Sequence, residues 1–198
     1  YTDPSCSATA EIVHRLFSGA GYKPSYEAAL GIYVGILTDT GSFRYENTTP
    51  SAIRICADMI EKFNLPVKDI YKNIYLSNKF AKIKAEGLVL SSAELHFGGK
   101  VCIAGISRSQ LESTGAQNGD LEGVVDYISS IKELEVGILS KYTDTESRFS
   151  LRSNGSADVG KVAQIFGGGG HRAASGCTIP KPFSAASALL LEQVGKCL

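Results

Sequence analysis

Residues 147–179, SRFSLRSNGSADVGKVAQIFGGGGHRAASGCTI, contain the pattern that decides the fold. Phe149 and Leu151 alternate with Arg148, Ser150 and Arg152, the period of a half-buried strand, which predicts a strand over 147–152. Val159, Val162, Ala163 and Phe166 then recur at helical spacing, four glycines interrupt, and an apolar run resumes as a short strand near Gly176–Ile179. Strand, helix and strand in close succession point to an α/β unit. Working upstream, Leu134, Val136 and Ile138 alternate as another strand. Leu121, Val124, Val125, Ile128 and Ile131 mark one face of a helix, and the runs 92–97 and 100–106, joined by Gly98 and Gly99, read as a hairpin. A closing helix follows Pro182.

Before residue 78 the texture is helical. Ile12, Val13, Leu16 and Phe17 give one amphipathic helix running to about Ser18, with Glu11 at its start, where the helix dipole favours an acid. The segment 26–37, YEAALGIYVGIL, is apolar on nearly every side and predicts a buried helix that runs into Asp39. Thr49 and Pro50 open a third helix with Ile53, Cys56, Ile60 and Phe63 inward, and Val67, Ile70 and Ile74 form a fourth. The expected organisation is a helical part over 1–77, a lysine-rich linker helix over 78–91, and a sheet domain over 92–198.

The chain has 198 residues, with 20 basic and 20 acidic side chains and 43% hydrophobic residues. This balance excludes a strongly basic nucleic-acid coat and an acidic disordered tail, so a polyanion must be held by a local cluster. No apolar run approaches the 18 to 20 residues that span a bilayer, and no basic-then-apolar leader is present, so a cytoplasmic protein without a membrane partner is expected. Met59 is the only methionine, which suggests that the chain is processed or a piece of something longer. Five cysteines without CxxC or CxxH spacing read as thiols in a reducing compartment.

The run Gly167 to Gly170 with His171 is the first candidate site. Glycine costs chain entropy, and its bare amides can close on an anion as a nest to which the histidine adds a donor. A flexible linker with a surface histidine is the alternative. No Lys-Ser or Lys-Thr pair follows, so this is not an ATP-binding P-loop. Arg148 and Arg152 share a strand face with Ser150 between them, and Ser153 follows. Residues 141–172 hold five cations against three acids, a surplus suited to one or two phosphates. Asp39, flanked by threonines and a glycine, must be hydrogen-bonded, paired or on a metal; a turn aspartate bonding backbone amides is the competing reading.

Four stretches together, DPSCSATAEIV (Asp3–Val13), GILTDTGSFRYENTTPSA (Gly35–Ala52), FSLRS (Phe149–Ser153) and FGGGGHRAASG (Phe166–Gly176), closely resemble the DHH/DHHA1 phosphoesterase family. The nearest branch is the nanoRNase and 3′,5′-bisphosphate nucleotidase type, also called exopolyphosphatase-related. The resemblance implies an α/β fold: a mainly helical remnant of a parallel-sheet DHH domain, followed by a mixed-sheet α/β DHHA1 domain. It also implies a phosphodiesterase or phosphatase using two Mn2+ ions, with Asp39 as a metal ligand. Arg152, Ser153, Gly167, Gly168, Gly169, Gly170 and His171 would bind the substrate. The expected partners are a short oligonucleotide or nucleotide phosphate and a second copy of the chain. The HxxxDxD and DHH motifs of the family do not occur, so the site is incomplete here and the chain alone is expected to be inactive. Two other readings stand beside this one: a non-catalytic nucleotide- or RNA-binding module, and a cyclic or linear dinucleotide phosphodiesterase.

Overall fold

The computed structural model describes residues 2–198, and the chain divides into two compact units, the first ending at Ser77 and the second spanning Asn78–Leu198. Each has its own core. The first consists of α1 (Thr9–Gly19), α2 (Tyr26–Asp39), α3 (Pro50–Phe63) and α4 (Val67–Tyr75). Ser25 caps α2 by accepting from the Ala28 amide, and this helix, apolar all round, buries Ala29, Ile32, Tyr33, Ile36 and Leu37. Thr49 caps α3 with Pro50 at its first position, and Ala52, Ile55, Cys56 and Met59 face inward.

Two of the expected helix faces are rotated. Val13 and Leu16 of α1 point outward, with Leu16 60% exposed, and Glu11 is buried instead. The cause is local: Ala8 offers no capping side chain, so the Glu11 carboxylate turns in and accepts the Ser7 amide at 2.7 Å. Ile53 of α3 is likewise outside, because Ile55 and Met59 occupy the face against α2.

The second unit contains α5 (Phe80–Ser91), β1 (Glu94–His96), β2 (Val101–Ser107), α6 (Arg108–Thr114), α7 (Val124–Ser129), β3 (Val136–Tyr142), β4 (Ser147–Ser153), α8 (Val159–Ile165), β5 (Gly169–His171), β6 (Ala174–Ile179) and α9 (Phe183–Gly195). The six strands form one sheet in the order β1-β2-β3-β4-β6-β5, with β2 and β3 parallel and every other pair antiparallel. Helices α8 and α9 cover one side, where Phe149, Leu151, Cys177 and Ile179 pack. On the other side, α5 and the segment containing α6 and α7 cover Cys102, Ala104, Ile106 and Leu139. The segment expected to link the units is therefore part of the second: α5 places Ala85 and Val89, one turn apart, in this core. Among the described residues, no helix is long and apolar enough to cross a membrane.

Candidate functional site

The α5 to α7 layer packs on β2 and β3, and the same side of the sheet continues across β4, β6 and β5 as a floor of small and cationic residues. Alternation puts Arg148, Ser150 and Arg152 of β4 on that side. Register then aligns three rows: Arg152 opposite Ala174 opposite His171, Ser150 opposite Gly176 opposite Gly169, and Arg148 opposite Thr178. Directly opposed residues share a face, so Arg152 and His171 stand on one side with only Ala174 between them. A cleft of about 340 Å³ lies along this floor, lined among others by Lys141, Arg148, Ser150, Phe166, Gly167, Gly168, Gly176 and Thr178.

The glycine run is neither a linker nor a continuous nest. Gly167, with φ +72°, and Gly168 donate their amides to Gln164 and Ala163, which closes the C-terminus of α8 in a Schellman arrangement. Those two amides are spent within the fold and cannot serve an anion, contrary to the expectation for half of the run. Gly169, Gly170 and His171 form β5, an edge strand with a partner on one side only, so alternate amides point away from β6. A side chain at Gly168 would collide with the Gly176 carbonyl, and one at Gly170, where φ is +144°, with Ala174 and Ser175. The backbones lie too close for anything but glycine.

Arg152 is half-buried and its Nε donates to Asp126 of α7 at 2.6 Å, while Nη1 donates to the Leu151 carbonyl. That leaves Nη2 uncommitted among the described residues. The His171 ring is exposed and has no hydrogen-bond partner there. Ser153 departs from expectation. Strand alternation turns it to the side opposite Arg152, and its hydroxyl donates to the Gly155 carbonyl at 3.4 Å, so it does not join the row. Lys141 and Thr178 line this floor, Asp126 holds Arg152 beside it, and sequence reasoning singled out none of the three. The alternation of β3 was readable, but the strand order that brings Lys141 and Thr178 beside Arg148 was not.

In the first unit, Asp39 ends α2 and is exposed rather than buried. The turn behind it is held by Thr40, whose hydroxyl accepts the Phe43 amide and donates to Ile36, so the turn-aspartate reading does not hold. Asn47 donates to the carbonyls of both Ser7 and Asp39, at 3.0 and 3.2 Å. This leaves the Asp39 carboxylate on a cleft of about 400 Å³ that Asp3 also lines. Among the described residues no group of three or more His, Cys, Asp or Glu could hold a metal ion. These residues alone therefore do not fit a two-manganese centre.

The second unit is of the three-layer α/β/α class, with a mixed sheet and a glycine-built edge hairpin beside paired cations. Within that class the chain belongs to the DHHA1 domain family, which residues 98–198 match. It is 31% identical over 177 residues to the bifunctional oligoribonuclease and PAP phosphatase NrnA of Thermus thermophilus, covering 89% of this chain and 52% of the relative. The protein of the same name from Bacillus subtilis is 26% identical over 182 residues, covering 90% and 57%. A crystal structure of an exopolyphosphatase-related protein from Bacteroides fragilis superposes with a TM-score of 0.88 at 27% identity, covering 99% of this chain and 58% of that one. The chain spans about half the length of the curated relatives it matches.

Proposed function

We propose that this chain is the substrate-holding part of a phosphoesterase that hydrolyses very short oligonucleotides or 3′,5′-bisphosphate nucleotides. The observation that carries the reading is the row Arg152–Ala174–His171, which sets a guanidinium and an imidazole over a floor where Gly169 and Gly176 leave the backbone bare. Asp126 fixes the Arg152 fork from one side, so its free edge is oriented before ligand arrives. The names of the relatives support the ester class and the size of the substrate. The part of these residues is to bind and orient phosphate, with a ring N–H of His171 donating to it. Asp39 is the candidate metal donor, and no step of this proposal runs through a metal.

The test is calorimetric titration of the 198-residue chain with adenosine 5′-monophosphate and adenosine 3′,5′-bisphosphate. Arg152→Ala and His171→Ala should each weaken binding about tenfold, the worth of one charged hydrogen bond, while Asp39→Asn leaves it unchanged. Wild-type affinity in both face variants would remove the assignment.

A further inference from the structure

The floor carries a second cationic row that the single-phosphate reading leaves unused. Lys141 of β3 lies directly opposite Arg148 of β4, and Arg148 lies opposite Thr178 of β6. Like charges directly opposed across strands are destabilising, and proteins usually relieve them with an acid. None does so here. Arg148 is exposed and makes no hydrogen bond or ion pair among the described residues, and Lys141 donates only to the Asn118 carbonyl at 3.3 Å. Two acids share a cleft with the pair: Glu112, which is taken by Arg108 at 2.8 Å, and Glu146, which precedes β4 and makes no ion pair among the described residues. Lys141 and Arg148 line two adjoining clefts, the floor of about 340 Å³ and a second of about 540 Å³ that continues past Ser107, Arg108, Gln117 and Asn118. The cations therefore stand at the junction of one continuous groove.

Arg148 and Arg152 are four residues apart on one extended strand, about 13 Å at the usual rise. A single phosphate cannot sit on both rows. The flat stretch between them, Ser150, Gly176 and Gly169, offers hydroxyl and backbone but no bulk that would block a chain crossing it.

We propose that Lys141 and Arg148, with Thr178 beside them, form a second phosphate subsite, so that the face takes an oligonucleotide through two separate phosphates. This rests on the reading of the Arg152–His171 row given above and deepens it. The second row discriminates by length: a mononucleotide, including a 3′,5′-bisphosphate, engages the first row only, whereas a trinucleotide reaches both.

The 198-residue chain and its Arg148→Gln and Arg152→Ala variants are titrated with adenosine 5′-monophosphate, adenosine 3′,5′-bisphosphate and 5′-phosphorylated triadenylate over a range of salt concentrations. Wild type should bind the trinucleotide about tenfold more tightly than either mononucleotide. Arg148→Gln should erase that advantage and lower the trinucleotide salt slope by about 0.7, one phosphate's worth of released counterions, with both mononucleotides unaffected. Arg152→Ala should weaken all three. Without ligand, Arg148→Gln should raise the unfolding midpoint, because it removes the opposed charge. Equal loss for all three ligands in Arg148→Gln would show one shared site, and no loss would show an unused cation; either overturns the second subsite while leaving the first in place. Failure of wild type to bind the mononucleotides would overturn the underlying reading and this one with it.

Discussion

At the scale of single residues, the four glycines do three different jobs, and a methyl group separates them. At Gly168 an added Cβ would run into the Gly176 carbonyl, whereas at Gly169 it would meet nothing within 4 Å. Gly168→Ala should therefore destabilise the second unit by about 1–3 kcal/mol. Gly169→Ala should leave stability within about 0.5 kcal/mol, so any effect it has on phosphate affinity reports the site alone. Urea unfolding of both variants checks this, and equal losses would mean that β5 does not pair as described. The cysteines offer a second check. Burial pushes the Cys56 thiol up to about 12 and the Cys177 thiol up to about 11, from an ordinary 9.0. The folded state thus keeps protons that the unfolded state releases above pH 9. Their contribution to stability is full below that pH and is lost as pH rises through 11 and 12. The urea midpoint should accordingly fall between pH 8.5 and 10.5, and a thiol reagent at pH 8 should reach Cys6 and Cys197 well before Cys56, Cys102 and Cys177.

At the scale of elements, period-two alternation was the most legible signal. It located β3 and β4 and put Arg148 and Arg152 on one face, because one side of β4 is held in the core, whereas β2, buried on both faces, was legible only as an apolar run beside Gly98 and Gly99. What sequence could not supply was pairing. β5 has no apolar residue to announce it, and its strand character comes entirely from β6 alongside. The short α6 went unread, being set by the Ser107–Gln110 capping box rather than by periodicity. The α1 stripe misled because helical spacing identifies an apolar face without saying that anything covers it. Helix α8 connects this scale to the site, since it lies beneath β5 and β6, begins at a cap in which Asp158 accepts the Lys161 amide at 3.1 Å, and ends at Gly167. Asp158→Ala should cost about 1 kcal/mol of stability. It should also speed hydrogen exchange in the Gly169–Ala174 hairpin more than in β2 or β3, an ordering that exchange mass spectrometry can read.

At the scale of the whole molecule, the change of texture at residue 78 is also where contact density divides the chain, but the segment read as a linker lies inside the second unit. Its lysines give the segment a polar texture, but Ala85 and Val89 sit one turn apart beneath β2 and anchor it there. Every group assigned to phosphate, namely Lys141, Arg148, Arg152, Gly169, His171 and Thr178, lies in that unit, and both of its cores are built from its own residues. Residues 78–198 expressed alone should thus unfold in one cooperative transition and bind adenosine 5′-monophosphate as the 198-residue chain does. The first unit is in a weaker position: below about 80 residues a single core supplies only a few kcal/mol. Leu16, Tyr22 and Leu76 are also each about three-fifths exposed. Expressed alone, residues 1–77 should unfold at lower denaturant and self-associate, readable by urea titration and sedimentation. If residues 78–198 fold but lose the nucleotide, a contact from the first unit is required for binding; if they fail to fold, the two cores are not independent.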